Sequence, residues 1–144
     1  MLDSEGQITE FTISHEMQMK YDTITQDNVR QLVDEFYGRV RKDELLGPVF
    51  LKALGDDWSA HLERLSEFWS TIVLGTRSFH GNVYGTHMQL SGIEPAHFRR
   101  WLDLFGETAS QLFEAEQAEQ FIGMARRVAS SLQIGFFGEV THST

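Results

Sequence analysis

Cysteine is absent from the 144 residues, which excludes disulfides, thiolate zinc sites, iron–sulfur clusters and thiol nucleophiles. Basic residues are few: 12 Lys and Arg stand against 21 Asp and Glu, for a net charge of −9. Nucleic-acid backbones and anionic membranes recruit basic patches, so neither is expected as a partner. No apolar run approaches the roughly 18 residues that a membrane span requires. The N-terminal MLDSEGQITEF lacks the basic start and apolar stretch of a secretory signal, so a soluble cytoplasmic protein is the default expectation. Proline is scarce as well. Pro48 and Pro95 are the two present, each where a helix can begin or end.

Apolar residues make up 41% of the chain, and 11 Phe, 3 Trp and 3 Tyr give it material for a real core. No internal repeat or linker divides it. Residues 1–22 are mixed and aperiodic and read as an extension, leaving 23–144 as one domain. Four stretches carry apolar residues at helical spacing. The first, from about Asn28 to Arg41, aligns Val29, Leu32, Val33, Phe36, Tyr37 and Val40 behind Thr25 as N-cap. The second, from about Asp57 to Leu74, aligns Trp58, His61, Leu62, Leu65, Phe68, Trp69 and Ile72, with Asp56 or Asp57 as cap and Gly75 as terminator. The third opens at Pro95, suited to a first helical turn, and carries Phe98, Trp101, Leu102, Phe105, Leu112 and Phe113. The fourth carries Phe121, Ala125, Val128, Ala129, Leu132 and Phe136. No segment alternates at period two, so the expected fold class is all-α.

Between the second and third helices, Thr76 to Glu94 is less regular. Gly81, Gly85 and Gly92 disfavour a continuous helix there, each costing about 1 kcal/mol relative to Ala. The segment nevertheless carries His80, Tyr84, His87 and Met88. Glu94 and His97 form one Glu-x-x-His pair, but a di-iron bundle needs two such pairs and further inward Glu residues. His97 is therefore read as an exposed or half-buried residue of the first helical turn. Gly81 and Gly85 are wrongly spaced for a phosphate-cradling loop. More informative is His61, which heads a stripe of Leu65, Phe68 and Ile72 suited to lying across a flat apolar ligand. Tyr37 and Trp101 each place one polar hydrogen on an otherwise apolar face, and such groups find partners when buried. Taken singly, each of these residues is equally at home in an ordinary core.

From Met19 to about Gly138 the sequence resembles the truncated haemoglobins of group III. The resemblance is carried by FYGRVRKDELLGPVF (Phe36 to Phe50), DDWSAHLERLSEFW (Asp56 to Trp69), the YGTHMQL segment around His87, and HFRRWLDLF (His97 to Phe105). The glycine pairs typical of groups I and II are missing, which agrees with group III. The resemblance implies a shortened globin fold, a two-over-two helical sandwich around haem b (iron protoporphyrin IX). It makes His87 the proximal iron ligand and Phe50 an aromatic wedged against the porphyrin where the first helix turns. His61 lies over the distal face, and Tyr37 and Trp101 point at the bound ligand. Leu65, Phe68, Tyr84, Met88 and Phe98 pack the haem, and Arg64 pairs with a propionate.

Haem iron held by one imidazole keeps an open sixth position, and distal donors then decide its chemistry. Trp101 donates only, whereas Tyr37 and His61 can donate. Such a set favours O2, with its partial negative charge, over neutral CO, and it favours charge developing during reactions with NO or peroxide. The implied function is thus O2 binding with redox chemistry, NO dioxygenation or peroxide reduction, fed by an external reductase. A carrier, store or sensor of O2 without turnover is the alternative, and a haem-free helical interaction domain is a third class.

Overall fold

Thr25 begins the first helix as the sequence predicts. Its Oγ1 accepts from the backbone N–H of Asn28 at 3.1 Å, while Asn28 Oδ1 accepts from the N–H of Thr25 at 2.7 Å. This reciprocal box satisfies two donors that a helix start otherwise leaves open. Helix α1 (Gln26–Lys42) then buries the predicted face of Val29, Leu32, Val33, Phe36, Tyr37 and Val40. The computed structural model describes residues 19–55, 58–77, 81, 87 and 90–138. The proposed caps Asp56 and Asp57 and the segment 1–18 lie outside the described residues, as do His80, Tyr84 and Met88.

Among the described residues four further helices follow: α2 (Leu46–Leu54), α3 (Trp58–Leu74), α4 (Pro95–Leu112) and α5 (Ala115–Phe137). Among the described residues the one β-type contact is a bridge between Tyr21 and Phe113. The all-α expectation holds. Pro95 occupies the first turn of α4. Gly75, at φ 71°, ends α3 in a left-handed conformation that glycine adopts without a steric penalty. Helix α1 packs on α3, α4 packs on α5, and α1 lies against α4, so two helix pairs form the sandwich. Tyr21 ties the incoming chain to the α4–α5 corner: its N–H donates to Leu112 O and its own carbonyl accepts from Glu114 N–H, both at 2.9 Å.

Helix α2 is not among the four stretches expected from sequence, and it moves Phe50 from a turn of the first helix onto a helix of its own. Its apolar residues Leu46, Val49, Phe50, Ala53 and Leu54 do recur at helical spacing and all face one cavity, but the element is nine residues long and contains Gly47 and Pro48. Its position is set from outside. Asp43 Oδ2 accepts from the N–H groups of Leu45 (3.1 Å) and Leu46 (2.9 Å), and Asp43 Oδ1 accepts from Arg100 Nε of α4 at 2.7 Å. Partial burial pushes the Asp43 carboxyl up, but these N–H groups and the Arg100 guanidinium outweigh it and hold it below the ordinary carboxylate range. That stabilisation is present at neutral pH and is lost as pH falls through the lowered value.

Gly47 sits where α2 approaches α1 most closely. A Cβ there would meet the Arg41 carbonyl oxygen at 2.9 Å. Helix propensity alone favours Gly47→Ala by about 1 kcal/mol, whereas overpacking against a fixed backbone costs about 1–3 kcal/mol. The clash is with backbone, which cannot swing aside, so the substitution is expected to destabilise. Urea unfolding at neutral pH measures the sign directly, and a stabilised Gly47→Ala protein would show that the corner relaxes.

Candidate functional site

A cavity of about 460 Å³ opens between the two helix pairs. Each helix supplies part of its wall: Tyr37 from α1, Val49 and Phe50 from α2, His61, Leu65 and Phe68 from α3, Phe98 and Trp101 from α4, and Leu132 and Phe136 from α5. His87 and Leu90, from the segment between α3 and α4, complete it. Apolar walls with a few converging polar groups are the usual make-up of a small-molecule site. Arg64 also lines the cavity, from an exposed position on α3. Of the site residues expected from sequence, all that fall among the described residues thus share one cavity. Tyr84 and Met88 fall outside them.

The aromatic residues are held by one another. Trp101 stacks on Phe105 at 13° and Phe105 on Trp69 at 20°, with centroids 5.6 and 4.9 Å apart. Phe36 meets Trp101 and Phe105 edge-on. Nearer α2, Tyr37 contacts Phe50, Trp58 and His61 at 5.8, 6.4 and 6.0 Å.

Two polar groups converge within this aromatic frame. Trp101 Nε1–H donates to Tyr37 Oη at 3.4 Å, a long and weak bond. The direction is fixed, because an indole has no acceptor. Having accepted there, the phenol still has its own hydrogen to give. Burial pushes the Tyr37 pKa up to about 12, against a smaller downward pull from the Trp101 bond.

Two features of the site were not read from sequence. Leu132 and Phe136 were seen as an apolar stripe, yet they wall the cavity as well as pack the pair α4–α5. His97 is half-buried, as expected, but it also lines the cavity. Its Nδ1 accepts from the Glu94 N–H at 2.9 Å. A histidine thus performs at the third helical position the task usually given to Glu or Gln. The three-residue spacing from the N-cap was the available signal.

Among the described residues no three His, Asp or Glu side chains gather as a site for a bare metal ion. A single imidazole can hold a metal here if the other ligands arrive with it, as in a macrocycle. No described helix is long and apolar enough to cross a membrane.

Comparison with known proteins agrees with this geometry. The family model of the bacterial-like globins matches residues 19–133. The chain is 32% identical over 118 residues to the group 3 truncated hemoglobin ctb of Campylobacter jejuni, covering 80% of this chain and 93% of that protein. A crystal structure of a group III truncated hemoglobin from Campylobacter jejuni superposes with a TM-score of 0.80 at 31% identity, covering 86% of this chain and 100% of that one.

The Tyr37 phenol makes a prediction of its own. Its ordinary value of 10.0 rises to about 12 in the fold, so folding opposes its ionisation. The stability is intact below pH 10 and is lost as pH rises from 10 towards 12, by of order 3 kcal/mol. Tyr37→Phe removes the ionisable group, so its unfolding free energy should fall less than that of the wild type over this interval. Parallel denaturant titrations at pH 9 to 12 measure the difference, and identical slopes would place the phenol in contact with water.

Proposed function

The chain belongs to the bacterial-like globin family, and from that premise we propose that it binds haem b in the described cavity and does redox chemistry on O2, NO or peroxide. The residues present fit that group. The cavity is apolar, with aromatic side chains from all five helices on its wall and one histidine, His87, on the segment outside them. In this reading His87 ligates the iron, Phe50, Leu65, Phe68 and Phe98 pack the macrocycle, and Arg64 meets a propionate. Tyr84 and Met88 remain expected packing residues of the same pocket. Held by one imidazole, haem iron supplies an open sixth position at which a diatomic ligand can bind.

The observation that carries the reading is the Trp101-to-Tyr37 hydrogen bond inside an aromatic enclosure. Tyr37 is the direct donor to the ligand. Trp101, immobilised by its stacking on Phe105, orients the Tyr37 hydroxyl and so directs its hydrogen. His61, edge-on to Tyr37, controls access and offers a further donor. A ligand with partial negative charge benefits from this arrangement, and neutral CO benefits much less. The same donors stabilise negative charge that develops when O2 reacts with NO or when a peroxide O–O bond breaks. Electrons come from an external reductase, and the cytoplasm is the compartment proposed for the reaction.

Three measurements test the proposal. Purified protein is expected to show a Soret band, and His87→Gly should lose haem or regain it with added imidazole. Tyr37→Phe keeps the ring and removes the hydroxyl. A hydrogen bond to a charged group contributes about 1.5–3 kcal/mol, so O2 dissociation should rise at least ~10-fold while CO release changes little. Wild-type protein with NADH and a reductase should consume NO or peroxide. Colourless protein would defeat the haem reading. Unchanged O2 release in Tyr37→Phe would defeat the donor assignment, and slow O2 release without turnover would leave an O2 carrier or sensor.

A further inference from the structure

His61 does not stand alone at the cavity wall. Side chains on a helix lean towards its N-terminus, so His61 leans over the residue three positions earlier, Trp58. The rings meet edge-on at 82° with centroids 5.9 Å apart. Trp58, at the described start of α3, is 6% exposed. Two groups hold it there. Phe50 of α2 lies nearly parallel to it, at 26° and 6.0 Å. The Arg41 guanidinium, from the last turn of α1, sits over the indole with its carbon 4.7 Å from the ring centroid. Arg41 itself is exposed and does not line the cavity.

We infer that Arg41 and Trp58 are positioning residues for His61: the cation over the indole fixes Trp58, and Trp58 fixes the imidazole at the cavity wall. Rotation of His61 away from the cavity abandons its edge contacts with Trp58 and Tyr37 or requires Trp58 to move with it. Trp58 in turn moves only by leaving Phe50 and the Arg41 cation. The barrier to access is therefore set partly on the outer surface, by a residue that touches neither ligand nor cofactor. A solvent-exposed contact of this kind is weak. It suits a latch that opens often, not a permanent closure.

The inference rests on the haem reading for its kinetic consequence and on ring geometry alone for its structural one, so the two are tested separately. CO is the probe of access, because it is uncharged and loss of a surface cation does not change its approach by steering. After photolysis of the ferrous CO complex, Arg41→Gln should rebind CO from solvent about 2- to 5-fold faster, the range an exposed cation–π contact supplies. In a His61→Ala background the same substitution should have no further effect, since residues acting through one another are non-additive. Trp58→Phe, which keeps a ring but loses most of the cation's seat, should resemble Arg41→Gln. The structural readout is the NMR shift of the His61 ring protons, which lie beside the Trp58 and Tyr37 rings. Arg41→Gln should move them from the wild-type positions when the two proteins are compared in the same haem state. An unchanged His61 signal, or an equal acceleration with and without His61, overturns the latch. A missing Soret band overturns the haem reading, and the His61 shifts still decide the latch.

Discussion

The stack of Trp101, Phe105 and Trp69 is the constraint on which the rest of the site depends. Trp101 and Phe105 lie four residues apart on α4, and Trp69 reaches them from α3. Phe36 of α1 closes the block edge-on. Three helices are thereby registered against one set of rings. Each aromatic pair is worth about 0.5–1.5 kcal/mol beyond its buried area, so the four contacts together are comparable with a sizeable part of a domain's net stability. The indole of Trp101 cannot turn without breaking two of them, those with Phe105 and Phe36. Its N–H direction is therefore a property of the core, and the hydroxyl of Tyr37, next to Phe36 in sequence, takes its orientation from it.

A cavity of this size runs against the ordinary rule that interiors are close-packed. The block of rings makes it tolerable by concentrating the packing to one side. Buried Phe113, Phe121 and Ala125 complete that side, where α4 meets α5. On the other side α2 bridges α1 and α4 through Asp43 and Arg100, spanning the open edge with a short element whose own buried surface is small. A group that binds the folded chain in preference to the unfolded one adds to its stability by linkage.

The sequence made some of this plain and hid the rest for identifiable reasons. Four helices were legible because their buried faces repeat at helical spacing, and the ends marked by Thr25, Pro95 and Gly75 fall where local chemistry places them. Helix α2 was not read, although Leu46, Val49, Phe50, Ala53 and Leu54 recur at helical spacing, because nine residues containing Gly47 and Pro48 look like a turn and the element is anchored by Asp43 and a distant arginine. The common cavity of Tyr37, Phe50, His61, His87 and Trp101 was foreseen from the resemblance to group III truncated haemoglobins and not from periodicity, which marks an inward face without saying what it faces. The hydrogen bond from Trp101 to Tyr37 could not be foreseen from either. It depends on two side chains on different helices, as does the seat of Arg41 over Trp58. His97 hid its part because an imidazole at a helix start looks the same in sequence whether it caps the backbone or faces water.

Placing Trp101 and Tyr37 in series has a consequence for the proposed selectivity. With Trp101 giving to Tyr37, the phenol oxygen is already polarised, and a donor that accepts a hydrogen bond becomes a better donor. Protonation is not what burial contributes, since an exposed tyrosine is also neutral at pH 7. Burial removes competing water. In a wet pocket the hydroxyl would be satisfied by solvent, and a diatomic ligand would have to displace it. Enclosed by Phe36, Phe50, Trp58 and His61, it faces a cavity in which an acceptor carrying partial negative charge is its best partner. The aromatic packing that fixes the helices is thus also what gives one hydroxyl its chemical preference.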